Sequence, residues 1–336
     1  TANHGIKAND GIFINGGILN VEVSAAAAKG INCESNIMVN GGRTTVITTG
    51  NGTYDTTDKE AKGAACFKAD STFTINGGEL RLKSTGSGGK GINADGDADF
   101  NGGTVYVITE GRQYSSNNDT SSPKGIKADG DVNIKGGAIW VRTSGTNGEG
   151  IESKSKLNIS DGTVMVSAYD DAINSAGDLT ISGGNVTVIG TNNDGLDSNG
   201  NMYLKGGTVI AMGAGGAEAG IDINEQKKLY ISGGNIFGIG GRFDGSLGST
   251  TQGIATTSGS VSANATVTVS DGNSTLASFA MPPYSYNSGT ILVSAPDMKS
   301  GSSYTLNLGS QSVTITASNS VSGGMGGMGG NRPGGW

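Results

Sequence analysis

The chain has 336 residues, of which 61 are glycine, while aromatic residues make up 5% and charged residues 15%. Its formal net charge of -7 argues against nucleic acid as the main partner. His4 is the only histidine, which excludes a Ser-His-Asp triad or a histidine zinc site away from its own neighbourhood. No apolar run is long enough to span a membrane.

A glycine pair recurs through residues 1–245 and defines a repeat. Most steps between pairs are 22 to 27 residues, and two steps of 36 and 34 residues carry insertions at 49–64 and 110–123. Each unit holds three short segments in which apolar residues alternate, and helical spacing fits none of them. The pairs begin at Gly16, Gly41, Gly77, Gly102, Gly136, Gly183, Gly206 and Gly233, with Asp161-Gly162 filling the gap. The pattern predicts an all-β fold, a right-handed parallel β-helix of about nine coils stacked ~4.8 Å apart.

The chain divides into three parts. Residues 1–245 form the predicted β-helix. Residues 246–320 form a small antiparallel β module packed on its end or flank, with strands predicted over 265–269, 276–280, 290–294, 304–308 and 313–316. Residues 321–336 are a Gly/Met-rich tail of low complexity.

One outer column of the coils becomes acidic in its second half. Stacked carboxylates repel each other, and a hard cation that prefers six to eight oxygen ligands relieves the repulsion. The predicted Ca²⁺ ligands are Glu149, Glu152, Asp170, Asp171, Asn174, Asp194, Asp197 and Asp222. The alternative is a solvated acidic ladder without metal.

The first half of the same face is basic. Its lysines suit a polyanion such as a uronic-acid polymer, or they merely keep the surface soluble. The two insertions lie beside this row and bring tyrosines, which are typical of sugar-binding surfaces. The candidate carbohydrate-binding residues are Lys29, Lys68, Lys90, Lys124, Lys127, Tyr54 and Tyr114.

A second outward column lies three residues past each glycine pair and is apolar in its later half, including Tyr106, Trp140, Ile210 and Phe237. An exposed apolar stripe normally marks an interface. We expect the C-terminal module to cover it, and the alternative is a flat carbohydrate platform built on Tyr106 and Trp140.

The two cysteines fall out of register in neighbouring coils. Cys33 aligns with Ala69 and Cys66 with Gly30, an offset of three residues that exceeds disulfide reach. Both are predicted to be free thiols, with Cys33 in the core.

The central acidic motifs resemble those of a known family. Glu149-Gly-Ile-Glu152, Asp170-Asp-Ala-Ile-Asn174 and Asn193-Asp-Gly-Leu-Asp197, followed by Gly206-Gly-Thr-Val209, are similar to secreted β-helix domains that bind cellulose and acidic sugars, distant relatives of family-nine pectate lyases. The resemblance implies bound calcium and non-catalytic polysaccharide binding. It implies calcium ligands at Asp170, Asp171, Asn174, Asp194 and Asp197. For the lyases it also implies a lysine base near the calcium, but Lys154, Lys156 and Lys205 lie outside the column of the acids.

Three functions therefore stay open. The first is a secreted, extracellular or cell-surface protein that binds calcium and a polysaccharide without catalysis. The second is a structural subunit of an extracellular fibre or surface assembly, which self-associates through an open N-terminal coil or the Gly/Met tail. The third is a calcium-dependent pectate lyase.

Overall fold

The computed structural model describes residues 4–320, and it shows the predicted all-β fold, a parallel β-solenoid of about nine turns. Each turn contributes a strand to face 1, a short strand to face 2 and a six-residue strand to face 3. In the described part of the chain, no helix is long and apolar enough to cross a membrane. The Gly/Met tail lies outside the described residues.

Face 1 is a ten-stranded parallel sheet that runs the length of the solenoid. Its inward residues, such as Ile92, Ile126 and Ile151, are fully buried, which follows from the alternating pattern of the sequence. The strands are Ile6–Ala8, Lys29–Cys33, Ala65–Ala69, Lys90–Ala94, Lys124–Ala128, Glu149–Ser153, Ile173–Ser175, Leu196–Ser198, Ala219–Ile223 and Arg242–Asp244.

Face 2 and face 3 meet at the glycine pair of each turn. Face 2 contains Ile12–Ile14, Ile37–Val39, Phe73–Ile75, Ala98–Phe100, Val132–Ile134, Leu157–Ile159, Leu179–Ile181 and Ser246–Leu247. Face 3 contains Ile18–Val23, Arg43–Thr48, Glu79–Ser84, Thr104–Thr109, Ala138–Thr143, Thr163–Ala168 and Asn185–Gly190. Two longer strands, Met202–Met212 and Lys228–Gly240, run through both faces.

The second glycine of each pair sets the turn between faces 2 and 3. Gly103 has φ +80°, a conformation that side chains with a Cβ rarely adopt, and a Cβ built there would lie 2.9 Å from the Gly78 carbonyl oxygen. The stacked turns therefore need glycine both for the dihedral angle and for their close approach. This requirement explains why the pair marks the register so reliably.

The two insertions form hairpins at the same corner, between face 3 and face 1. The first pairs Thr53–Asp55 with Glu60–Lys62, and the second pairs Tyr114–Ser116 with Asp119–Ser121. They touch each other, since the Ala61 amide donates a hydrogen bond of 2.6 Å to Asp119 Oδ2.

The C-terminal module packs on both the end and the flank of the solenoid. Its strand Tyr286–Ser294 pairs antiparallel with Lys228–Gly240, the last strand of face 3. It also pairs antiparallel with Ile254–Val261, a strand that the sequence pattern had not indicated. A separate four-stranded antiparallel sheet contains Thr266–Ser270, Thr275–Ala280, Ser303–Asn307 and Ser312–Thr316. Ser246–Leu247 still pairs in parallel with Lys228–Gly240, so solenoid pairing continues slightly past residue 245.

Both cysteines are buried free thiols, as predicted. Cys33 is aligned with Ala69 in the next strand of face 1. Burial raises the pKa of the Cys66 thiol to about 12.

Candidate functional site

The acidic column on face 1 has the register that the sequence predicted. Glu152 is paired with Asn174, Asn174 with Asp197, and Asp197 with Asp222 in successive strands. The parallel strands therefore place one oxygen-bearing side chain above another at each coil.

Asn174 links two of these carboxylates. Its Nδ2 group donates hydrogen bonds to Asp171 Oδ2 at 3.0 Å and to Asp197 Oδ2 at 3.1 Å. Rotation of the amide by about 180° would exchange Oδ1 for Nδ2 and place the amide oxygen beside those two carboxylate oxygens. This donor set of two carboxylates and an amide oxygen fits calcium.

The neighbouring aspartates are deeply buried. Asp194 is 2% exposed, and its Oδ1 accepts a hydrogen bond of 2.6 Å from the Ala219 amide. Burial first and the nearby Asp222 second raise the pKa of Asp194 to about 8. Burial and the Asp197 charge raise the pKa of Asp171 well above its usual range. The folded protein therefore holds more carboxyl groups here than can be ionised together at neutral pH unless a cation lies beside them.

Asp170, at the edge of this group, accepts a hydrogen bond of 2.8 Å from Asn193 Nδ2. Within residues 4–320, no three carboxylate, thiolate or imidazole groups converge closely enough to hold a metal as they stand.

Glu149 and Glu152 are already neutralised by lysine. Lys124 Nζ lies 2.7 Å from Glu149 Oε1 and 3.2 Å from Glu152 Oε2, and Lys154 also contacts Glu152. The side chains of Lys124, Glu149 and Glu152 are nearly inaccessible to solvent. The lysine contacts therefore distinguish these two glutamates from the aspartates around Asn174, although Glu152 is aligned with Asn174 in the next strand.

The basic row is also in the predicted register, but its ammonium groups are occupied. Lys29 donates to the Gly63 carbonyl, and Lys90 donates to Ser121 Oγ at 2.8 Å. Lys68 forms ion pairs with two aspartates, and Lys127 forms one with Asp129. Burial lowers the pKa of Lys29 to about 8 and that of Lys90 to about 7. The insertions, which supply Gly63 and Ser121, thus cover part of the row.

An open cleft of about 570 Å³ lies at the corner where face 3 ends, next to the second hairpin. It spans three coils, and its walls are polar except for one tyrosine ring. The lining residues are Asn51, Thr85, Ser87, Glu110, Gly111, Arg112 and Tyr114. Tyr114 is the only predicted carbohydrate residue among them, while Tyr54 lies in the adjacent hairpin opposite Ala61.

The apolar column on face 3 is only partly covered by the C-terminal module. Ile210 and Phe237 are buried beneath it, whereas Tyr106 is 37% and Met165 39% exposed. The Tyr106 and Trp140 rings stack on each other with centroids 4.7 Å apart and planes 9° apart. The two rings therefore cover much of each other's facing surface. They do not lie side by side as a flat carbohydrate platform would require.

Comparison with known proteins identifies the family. A family model described as carbohydrate-binding domain-containing protein matches residues 1–167 and again residues 141–280, well over half of the 336 residues together. The chain belongs to this carbohydrate-binding domain family. No curated protein and no solved structure matches the chain. Because the second match reaches residue 280, the family extends from the solenoid into the C-terminal module.

Membership of the carbohydrate-binding family directs attention to residues that the sequence pattern did not single out. Arg112, Glu110 and the polar groups of Asn51, Thr85 and Ser87 come together only because the corner turns of three coils stack. The sequence does show that the two insertions occur at the same place in the repeat unit. This shared position pointed to Tyr114 but not to the neighbouring turns.

Proposed function

We propose that this chain is a secreted, calcium-binding protein that binds a polysaccharide without catalysing its cleavage. The observation that carries the proposal is the match of a carbohydrate-binding family to residues 1–280. The cleft, with a tyrosine ring among amide, hydroxyl and guanidinium groups, supplies a surface of suitable chemistry. Because polysaccharides are abundant outside cells, the proposed location is extracellular or at the cell surface.

Calcium has a structural role in this proposal. Asp171, Asn174 and Asp197 provide the first ligands, and Asp170, Asp194 and Asp222, in the same or neighbouring coils, complete or support the sphere. Bound calcium neutralises the buried carboxylates and joins neighbouring coils. Glu149 and Glu152 are the weakest ligand candidates because Lys124 already pairs with both.

The arrangement of the lysines supports binding without catalysis. Lys124 and Lys127 stack directly on the acidic column, on Glu149 and Glu152, and a proton-abstracting base needs a free amine. The Lys124 ammonium group is instead held between the two glutamates in a nearly inaccessible position, and that of Lys127 forms an ion pair with Asp129. A calcium-dependent lyase thus has no free lysine at this end of the acidic column.

Isothermal titration with polygalacturonate and with soluble cellulose fragments, with calcium present, tests the proposal. Binding to at least one polymer is expected, and no binding to either overturns it. Incubation with pectate gives a flat absorbance trace if the protein is not a lyase. An increase from unsaturated uronates would establish the enzymatic alternative.

Self-association is a second candidate, favoured by the apolar side chains of the first coil. Phe13 is 66% and Ile18 76% exposed, the highest values among the large apolar residues of the described chain. An assembly through this coil predicts oligomers in light scattering that Phe13→Ser and Ile18→Ser disperse. A monomer at all concentrations would contradict it.

A further inference from the structure

The corner cleft combines an aromatic ring, a free guanidinium and fixed polar groups on one surface. Resting on the proposed polysaccharide-binding function, we propose that the cleft is the carbohydrate site and takes a polysaccharide that carries carboxylate groups. The sugar chain then runs along strand Thr104–Thr109, across the solenoid axis, rather than following the lysine row parallel to that axis.

The Tyr114 ring is held in position by the first insertion. A Cβ built on Gly52 would lie 2.6 Å from Tyr114 Cγ, so the ring packs directly against the Gly52 backbone. Its remaining surface borders the cleft. A tyrosine fixed on one side and open on the other can stack against the apolar face of a sugar ring with little loss of side-chain entropy.

Arg112 supplies the charge. It is exposed, lines the cleft and forms no ion pair with any residue between 4 and 320. By contrast, Lys68, Lys124 and Lys127 all have carboxylate partners. A planar guanidinium binds a carboxylate through two parallel hydrogen bonds, so a uronate fits Arg112 better than a neutral sugar does.

The acidic residue of the cleft does not cancel this charge. Glu110 is paired with Lys83 at 3.2 Å, which leaves Arg112 as the group that faces an anionic ligand. In the same cleft, Asn51 Oδ1 accepts hydrogen bonds from the amide and hydroxyl of Ser87 at 3.1 and 3.3 Å. The amide oxygen of Asn51 is thereby fixed, and its Nδ2 group is available to donate to a sugar hydroxyl.

Face 3 extends the cleft in one direction. Tyr106, Ile108 and Glu110 point outward in succession along the same line, and four residues of extended chain span roughly 13 Å. Tyr106 and Ile108 are both more than one-third exposed. This apolar extension, added to a cleft of about 570 Å³, suits a chain of several sugars rather than a single residue.

Titration of the full-length protein with calcium present, using an oligogalacturonate and a cello-oligosaccharide of equal length, tests the assignment. Arg112→Gln and Tyr114→Ala are each expected to lower affinity for the oligogalacturonate about tenfold or more. Ile108→Ser is expected to weaken only the longer oligosaccharides. Controls are Lys227→Gln, an exposed cation on the last coils, and Tyr203→Ala, a tyrosine that stacks on Tyr230 on face 2, away from the cleft.

Three outcomes would overturn the inference. Unchanged affinity in both cleft variants, together with a loss in Lys68→Gln, would move the site to the lysine row. Equal affinity of the wild-type protein for the oligogalacturonate and the cello-oligosaccharide would reject the acidic ligand class. Failure of the wild-type protein to bind either sugar would reject the proposed function itself. Unchanged binding in the cleft variants would reject only the position of the site.

Discussion

Replacement of Asp194 by asparagine tests whether the buried acidic column is built for a cation. Burial and the nearby Asp222 raise the pKa of Asp194 to about 8, against 3.8 for an ordinary aspartate. Since the folded-state value is raised, the stabilising contribution is complete below about pH 4 and is lost as the pH rises to about 8. Asparagine cannot ionise, so Asp194→Asn removes this loss.

The size of the effect follows from the two pKa values. Between the ordinary pKa and pH 7, the free energy of unfolding falls by about 1.36 kcal/mol for each pH unit, which amounts to roughly 4 kcal/mol at pH 7. Asparagine also keeps an oxygen that can accept the Ala219 amide hydrogen bond of 2.6 Å. In the presence of a chelator, Asp194→Asn should therefore unfold several degrees higher than wild type at pH 7, with little difference at pH 4.

Calcium reverses the order. The ion binds ionised carboxylates, so calcium should raise the melting temperature of wild type at pH 7.5. The increase should be smaller at pH 5, because protons compete with calcium for the same oxygens. Asp194→Asn should lose much of the calcium-dependent gain. Thermal scans with chelator and with calcium measure both effects, and Asp161→Asn, an exposed aspartate of a glycine-pair turn, is the matched control.

Two results would refute this reasoning. If chelated wild type and Asp194→Asn unfold at the same temperature at pH 7, the buried charge is not costly. If calcium leaves the wild-type melting temperature unchanged at pH 7.5, the column is a protonated ladder rather than a metal site.

Further predictions concern the ion pairs, the cleft and the thiols. Lys124→Met leaves buried Glu149 without its cation and Glu152 with Lys154 alone, and should cost about 3–5 kcal/mol in chemical denaturation. Lys127→Met, whose partner is exposed, should cost less than about 1 kcal/mol, and equal costs would contradict the burial argument. Gly52→Ala should displace Tyr114 and weaken sugar binding in calorimetry, and unchanged affinity would remove Tyr114 from the site. Cys66 should resist alkylation in the folded protein, as followed by mass spectrometry, because burial raises its pKa to about 12; rapid labelling would show that the coil opens.

The sequence was sufficient for the fold and for the register of the outward columns. Each glycine pair fixes one point of every coil, and the period-two alternation then determines which residues stack. Pairs such as Asn174 with Asp197 and Tyr106 with Trp140 were therefore predictable before the structure.

The chemical state of those columns was not predictable. Alignment shows that Lys124 lies below Glu149, but not that the two groups meet at 2.7 Å in a position closed to solvent. The partners of Lys29 and Lys90 come from the insertions, whose sequences share no repeat with the coils. The contact of Gly52 with Tyr114 joins two insertions that are far apart in sequence, and no periodic rule describes it.

The position of the insertions has a consequence for how such a protein can diversify. Both leave the chain at the same corner, yet Arg43–Thr48 and Glu79–Ser84, which flank the first, keep an uninterrupted six-residue register. Folding information resides in the coils, while the surface around the cleft is contributed largely by segments that the coils tolerate. Exchange of one hairpin for another would thus alter ligand preference while the solenoid coils keep their fold.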